Sequence, residues 1–184
     1  MVRRLALCLL AVAAAAALAG CGNRVEVRTL AETEGIYIDI GELKYQVQLS
    51  RILNPDDLED RAYFVGLPEG EEASADEAWF AIFLRVENTT GETHPAAEDF
   101  EIVDTQENTF EPLALENNLF AYEPESLAPK ALIPHPDSVA GEGVIQGSLL
   151  LFKVSVDALQ NRPLEFRIKS PESPDQVGIV DLDV

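Results

Sequence analysis

Few side chains in this sequence are suited to nucleophilic or acid–base chemistry. Its 184 residues hold two histidines, two cysteines and one methionine, Met1. His135 stands between Pro134 and Pro136, close along the chain to Asp137 and Ser138. A Ser-His-Asp site needs an imidazole that an acid orients toward the hydroxyl, and adjacency in sequence is not that geometry. His94 precedes Pro95 in a turn-like stretch. Zinc and copper want clustered His, Cys or Met, which the chain does not supply, and no D-x-D-x-D-G calcium loop occurs. Nor is there a G-x-S-x-G elbow, a phosphate loop or a dinucleotide fingerprint. The expectation is therefore no catalytic residue, no metal, no cofactor and a protein that is not an enzyme.

The carboxylates are numerous rather than placed. Asp and Glu total 33 against 13 Lys and Arg, a formal net charge of −20. Such a chain repels phosphate backbones, which excludes nucleic acid as a partner. Many of the acids fall between Asn54 and Ala78, where Arg61 is the one base. That stretch reads as a solvated acidic loop, with Ala62-Tyr63-Phe64-Val65 as a segment that could dock on the domain. Long loops without structure of their own are uncommon in compact domains, so the insertion is a candidate partner surface. A second long connection, Ala114 to Gly143, carries Phe120 and Tyr122 among four prolines. Those aromatics fit either a second partner surface or a loop tucked back on the core, and tucking is the favoured reading.

The amino terminus carries the most specific signal. Arg3 and Arg4 precede an apolar, alanine-rich run from Leu5 to Leu18, followed by Leu18-Ala19-Gly20-Cys21. A basic start, a short apolar segment and small residues before a cut describe an export signal; a membrane span wants about 20 apolar residues. The tetrad resembles the lipobox of bacterial lipoproteins. The resemblance implies cleavage between Gly20 and Cys21, acylation of the Cys21 thiol (palmitate or a similar chain) and a free end that is acylated in turn. Two or three acyl chains anchor a protein stably where one does not. The expected location is the extracytoplasmic face of a cell membrane, in an outer leaflet or an outer membrane. Cys8 would leave with the signal and Cys21 would be blocked, so no disulfide is available to the mature chain.

The rest of the chain reads as strands. Trp79 to Val86 is apolar on both alternating faces, so it must be covered on both sides. Ile36, Ile38 and Ile40 alternate with polar residues, as do Leu43, Tyr45, Val47 and Leu49, the pattern of a half-buried strand. Phe100 and Ile102 continue the series, and Phe110 resumes it before Pro112. Leu150, Phe152 and Val154 share one face, with Leu149 and Leu151 on the other. Leu164, Phe166 and Ile168 precede a polar break, after which Val180, Leu182 and Val184 make a last strand, expected at a sheet edge. About eight short strands and almost no helix argue for an all-β fold, an immunoglobulin-like antiparallel two-sheet β-sandwich. The division is signal peptide 1–20, lipidated cysteine and tether 21–35, and a single sandwich domain 36–184.

Several of these segments resemble a family of lipid-anchored, extracytoplasmic bacterial proteins of unassigned function with an immunoglobulin-like sandwich, similar to a secreted mycobacterial immunogenic antigen. The likeness rests on Asn88 after the apolar strand, on D-F-E-I-V-D-T-Q-x-N-x-F at Asp99 to Phe110, on an L-x-P turn, and on G-S-L-L-L-F-K-V at Gly147 to Val154. The family pattern has glycine after D-x-Q, where this chain has Glu107, with Asn108 beside it as the residue suited to a left-handed turn. It also has glycine after L-x-P; Lys130 follows Leu127-Ala128-Pro129 and His135 follows Leu132-Ile133-Pro134. The resemblance implies a fold and supplies no catalytic residue. The functional expectation is a lipid-anchored, non-catalytic binding or interaction module of the cell envelope, with an envelope protein or a small molecule as partner. The alternative is a solute-binding lipoprotein that presents a small ligand to a transporter.

Overall fold

In the computed structural model, which describes residues 27–183, the run from Trp79 to Val86 lies inside a strand paired along its length on both sides. The strands in chain order are β1 Leu30–Ala31, β2 Ile38–Ile40, β3 Leu43–Leu53, β4 Glu77–Glu87, β5 His94–Pro95, β6 Asp99–Val103 and β7 Thr109–Phe110. They continue with β8 Pro112–Leu113, β9 Ser126–Leu127, β10 Leu132–Ile133, β11 Ser148–Ser155, β12 Leu164–Lys169 and β13 Val177–Leu182. One helical turn, α1 Val139–Glu142, and two 3-10 turns, Arg61–Phe64 and Ala158–Gln160, complete the elements.

Two sheets face each other. One runs β1-β13-β12-β6-β7; the other runs β2-β3-β4-β11-β8, with β10 beside the end of β4. Strands β5 and β9 make a small ribbon of their own. Neighbouring strands are antiparallel except β1, which runs parallel to β13. This is the expected two-sheet sandwich. Its core comes from the alternation read in the sequence: Ile38, Tyr45, Phe80, Ile82, Leu84 and Phe152 from one sheet meet Phe100, Ile102, Phe166, Ile168 and Val180 from the other. The rings of Phe100 and Phe166 stack at 5.7 Å, and Phe152 meets Phe166 edge-on at 6.3 Å. Each such side chain contributes roughly 1.5–3 kcal/mol by leaving water.

The second apolar face of β4 is also covered. Trp79, Ala81 and Phe83 join Leu53, Leu149 and Leu151 in a separate cluster on the outer face of the β4 sheet. Both long connections supply its lid, through Tyr63, Phe64, Leu67, Leu115 and Phe120, and Ile145, just before β11, joins them.

The structure corrects four expectations. The regular alternation of β3 breaks at Gln48, where the register slips between Val47 and Leu49. A bulge of this kind turns later side chains over, so Leu49 packs with the outer cluster and Ser50 takes the inward place. Strand β13 is not an edge: β12 pairs along it on one side and β1 closes the other, Leu30 opposite Ile179 and Ala31 opposite Val180. The tether drawn to residue 35 therefore ends sooner, because Leu30 onward belongs to the sandwich. Ala31 is 1% exposed, and the Glu34 carboxylate accepts from Ser50 N–H at 2.9 Å. Finally, the left-handed residue of the β6–β7 turn is Glu107 itself, at φ 65°, and not Asn108. Lys130, after Leu127-Ala128-Pro129, also lies at φ 66°. The signal segment, Gly20, Cys21 and Val184 lie outside the described residues.

Candidate functional site

The acidic insertion is folded rather than loose. Arg51, on β3, reaches into it and pairs with Asp60 through both terminal guanidinium nitrogens. Asn54 N–H donates to the same carboxylate at 2.8 Å. Burial alone would raise the Asp60 pKa, but these hydrogen bonds and the guanidinium charge outweigh it and hold it below the ordinary value. The pair fixes the 3-10 turn beside it and aims its aromatics at the sheet. Tyr63 meets Phe83 at 5.1 Å and Phe64 meets Trp79 at 5.5 Å, both edge-on. The docking expected of Tyr63 and Phe64 is what the structure shows. Glu71, further along, pairs with Lys153 of β11 at 2.6 Å. Among the described residues no group of three or more His, Cys, Asp or Glu side chains is placed to hold a metal ion.

The second connection is tied to the first. Asn118 Nδ2 donates to the carbonyls of Ala62, Tyr63 and Val65 at 3.3, 3.1 and 2.8 Å, while its Oδ1 accepts from Phe120 N–H at 2.9 Å. Gly66 permits the close approach. It lies at φ +76°, a left-handed conformation that favours glycine, and a Cβ there would fall 1.8 Å from Glu116 O. Phe120 meets Tyr63 edge-on at 5.0 Å. Tyr122 is 9% exposed and donates its hydroxyl proton to Ala97 O at 2.8 Å. Both aromatics are thus used in packing, as the tucked reading expects.

The histidines do not assemble chemistry. His94 Nδ1 lies 3.4 Å from Glu172 Oε1 on the surface. His135, Asp137 and Ser138 form no triad. Ser138 Oγ donates to the backbone carbonyl of His135 at 2.7 Å and accepts from Gly141 N–H at 3.0 Å, the N-cap of α1. His135 and Asp137 are 70% and 90% exposed. The serine hydroxyl is thus occupied in capping a helical turn.

Arg85 differs from its neighbours on the outer face. It follows Trp79, Ala81 and Phe83 along the outward side of β4, where the apolar lid ends. Its Nε is buried and has no hydrogen-bond partner, alone in this among the buried side-chain nitrogens and oxygens of the described residues. A buried donor left unpaired costs roughly 1–3 kcal/mol, more when charged. Arg85 lines a cleft of about 360 Å³ together with Leu132, Pro134, Pro136, Gly141, Glu142 and Gln146. The wall is set by β10, which pairs Leu132 with Glu87 and Ile133 with Val86, and by α1 packed under the Pro134–Pro136 turn. Gly141 permits that packing, since a Cβ there would fall 2.2 Å from His135 O. In the sequence Arg85 marks only the end of an apolar face. The signal that could have found it is that a cation continues the line of Trp79, Ala81 and Phe83.

No protein-family model matches the chain, and no curated protein matches it. Among solved structures it is similar to the YjhA protein of Bacillus subtilis, at 10% identity over 83% of this chain and 99% of that one, with a TM-score of 0.48. It is similar to a candidate lipoprotein of Bacillus subtilis, YcdA, at 12% identity and a TM-score of 0.47, over 82% of this chain and 39% of that one. An uncharacterised β-sandwich protein of Clostridium difficile shows 9% identity and a TM-score of 0.43, with 87% of this chain and 99% of that chain covered.

Proposed function

We propose that this chain is a lipid-anchored protein of the cell envelope whose sandwich acts as a non-catalytic binding module. The signal-like Arg3 to Leu18, the Leu18-Ala19-Gly20-Cys21 tetrad and the acidic composition support the anchor and the extracytoplasmic side. Eight residues separate Cys21 from Leu30, where the sandwich begins. So short a chain spans at most about 30 Å, which holds the domain close to the bilayer. Among the described residues no helix is long and apolar enough to cross a membrane.

The observation that carries the binding reading is the cleft at Arg85. The rest of the outer face is sealed by side chains packed from both connections, while this recess stays open, with Arg85, Glu142 and Gln146 among its lining. It also favours the second reading, a lipoprotein that presents a small solute, over a broad protein-binding face, because the charged side chains of Arg85 and Glu142 line a recess.

Intact mass of the protein extracted from envelope tests the anchor. A chain starting at an acylated Cys21 is expected; an unmodified Cys21 overturns the assignment. Capture from solubilised envelope, with a Cys21→Ala form in parallel, tests the module. One stoichiometric partner, or a saturable ligand, is the expected result. Neither appearing from intact envelope overturns it.

A further inference from the structure

We propose that a second recess, floored by Ser148, binds a small hydroxylated amine, its hydroxyl on the Ser148 side chain and its ammonium at Glu123 and Glu125. This adds a site to the reading of the domain as a binding module. It does not depend on the Arg85 cleft, with which it shares only Pro134.

Ser148 stands apart from the other buried polar side chains. Among the described residues Ser50, Asp60, Asn88, Asp104, Asn118 and Ser170 are buried, and each makes side-chain hydrogen bonds. Ser148 is 3% exposed and its hydroxyl makes none. Nor is that hydroxyl sealed off. Arg85 Nε is the one side-chain nitrogen or oxygen of the described residues that is both shut away and unpartnered. The Ser148 oxygen, unpartnered but not shut away, is open to the recess that its residue lines.

The recess forms where one strand takes over from another. Ser148, the first residue of β11, stands opposite Leu84 of β4, and β10 continues beside β4 with Ile133 opposite Val86. Successive side chains of a strand alternate, so Ser148 shares the inward face with Leu150, Phe152 and Val154 of the core. Its hydroxyl lies at the end of the sandwich interior. The chain after Phe120 runs beside β11: Ala121 bridges Leu149, and Tyr122 N–H donates to Leu149 O at 2.8 Å. That course brings Glu123 and Glu125 to the recess.

The lining sorts into a buried floor and a charged rim. Ile133, Pro134 and Ala140 are buried with Ser148, whereas Glu123, Glu125 and His135 are exposed. Burying an ion is costly, and a neutral group that finds a hydrogen bond is not. The matching molecule therefore keeps its charge at the rim and sends a neutral hydroxyl to the floor. Neither glutamate is held in an ion pair among the described residues. A net charge of −20 repels anions from the same place. The rim groups are not placed to hold a metal ion, which leaves an organic cation. At about 330 Å³ the recess sits at the small end of ligand pockets, which fits an amino alcohol or an amino sugar and not a polymer.

The test is calorimetric titration and thermal shift of the full detergent-solubilised chain with aminopropanol and glucosamine. Propylamine, which lacks the hydroxyl, glucose, which lacks the cation, and hydroxypropanoate, which reverses the charge, are the controls. At least one hydroxylated amine is expected to bind saturably and raise Tm, with each control weaker by about fivefold or more. Ser148→Ala should lower the affinity for the hydroxylated amine by about fivefold and leave that for propylamine unchanged. A serine that only fills space would alter neither. Without ligand, Ser148→Ala should be as stable as the parent, since it loses no hydrogen bond. Glu123→Gln combined with Glu125→Gln, on exposed residues, should lower the affinity by about fivefold and flatten its dependence on salt. The proposal is overturned if neither hydroxylated amine binds, if Ser148→Ala binds as the parent does, or if any control binds as well as the hydroxylated amines. Any of these beside a stoichiometric envelope partner removes this inference and leaves the binding module standing.

Discussion

Tyr45 and Tyr122 grip the backbone of one residue from opposite sides: Ala97 N–H donates to the Tyr45 hydroxyl oxygen at 2.8 Å, and the Tyr122 hydroxyl donates to Ala97 O at 2.8 Å. The first tyrosine comes from β3 and the second from the connection after β8, so the contact pins that connection and the β5–β6 segment to the core. Burial pushes the Tyr45 hydroxyl pKa up to about 12 and drives that of Tyr122 upward as well. Tyr122→Phe leaves Ala97 O without its partner and should cost about 1–2 kcal/mol, read as a lower urea midpoint with an unchanged slope.

The same pair sets an alkaline limit. A tyrosine whose folded pKa is raised is protonated in the fold where the unfolded chain has begun to ionise. Its contribution is complete below about pH 10, the unfolded value, and is lost as pH rises to about 12. Absorbance titration of tyrosinate should show Tyr45 and Tyr122 ionising later than tyrosine in the unfolded chain, and stability should fall across that window. Tyr45→Phe, which has no ionisable group there, should flatten the dependence.

Asp104 works at the acid end. It is 4% exposed, and its carboxylate accepts from Gln106 N–H, Asn108 N–H, Asn108 Nδ2 and Asn161 Nδ2 at 2.8–2.9 Å. Burial alone would raise its pKa, but these donors outweigh burial and bring it down to about 2. A depressed carboxylate stabilises the fold above its unfolded value, 3.8, and that stability is lost as pH falls toward about 2. Asp104→Asn turns an amide toward donors already aimed there and should cost about 2 kcal/mol at neutral pH. Acid titration of the variant should lack this part of the pH dependence.

Glu107 and Lys130 hold left-handed backbone at φ 65° and 66°. For a residue with a Cβ that conformation costs roughly 1–2 kcal/mol, against an entropic cost of about 0.5–1 kcal/mol for glycine. Glu107→Gly and Lys130→Gly should each stabilise the domain by about 0.5–1 kcal/mol. Midpoints of chemical unfolding below the parent in both variants would contradict this.

Asn118 joins the two long connections through three carbonyls. Asn118→Ala should cost about 2–3 kcal/mol, yet its clearest sign is local. Hydrogen exchange should quicken across 57–67 and 115–122 before it does in β4 or β11. Uniform loss of protection would mean that the lid and the sandwich open as one unit.

The strands were legible because alternation is a local property: Phe80, Ile82 and Leu84 point one way and Trp79, Ala81 and Phe83 the other whatever pairs with them. Where the signal needed a partner, it was incomplete. Leu49 continued a perfect alternation until β4 imposed a slip at Gln48. Val180 and Leu182 looked like an edge until Leu30 and Ala31 paired beside β13. The aromatics of both connections were visible as residues, while their shared destination on the outer face of β4 was not. Arg85 was visible as a charge at the end of an apolar face, without any sign that it would be left unpaired.

Strand periodicity, the two covered faces of Trp79 to Val86 and the acidity of the surface are thus written in the chain, since they depend on composition and on neighbours along it. Folding had to settle which strand is an edge, where β3 bulges, which backbone Tyr45 and Tyr122 share, and that Arg85 meets no acid. These depend on residues brought together across the chain, such as Thr33 and Asp183, 150 positions apart, and no local pattern specifies which groups will meet.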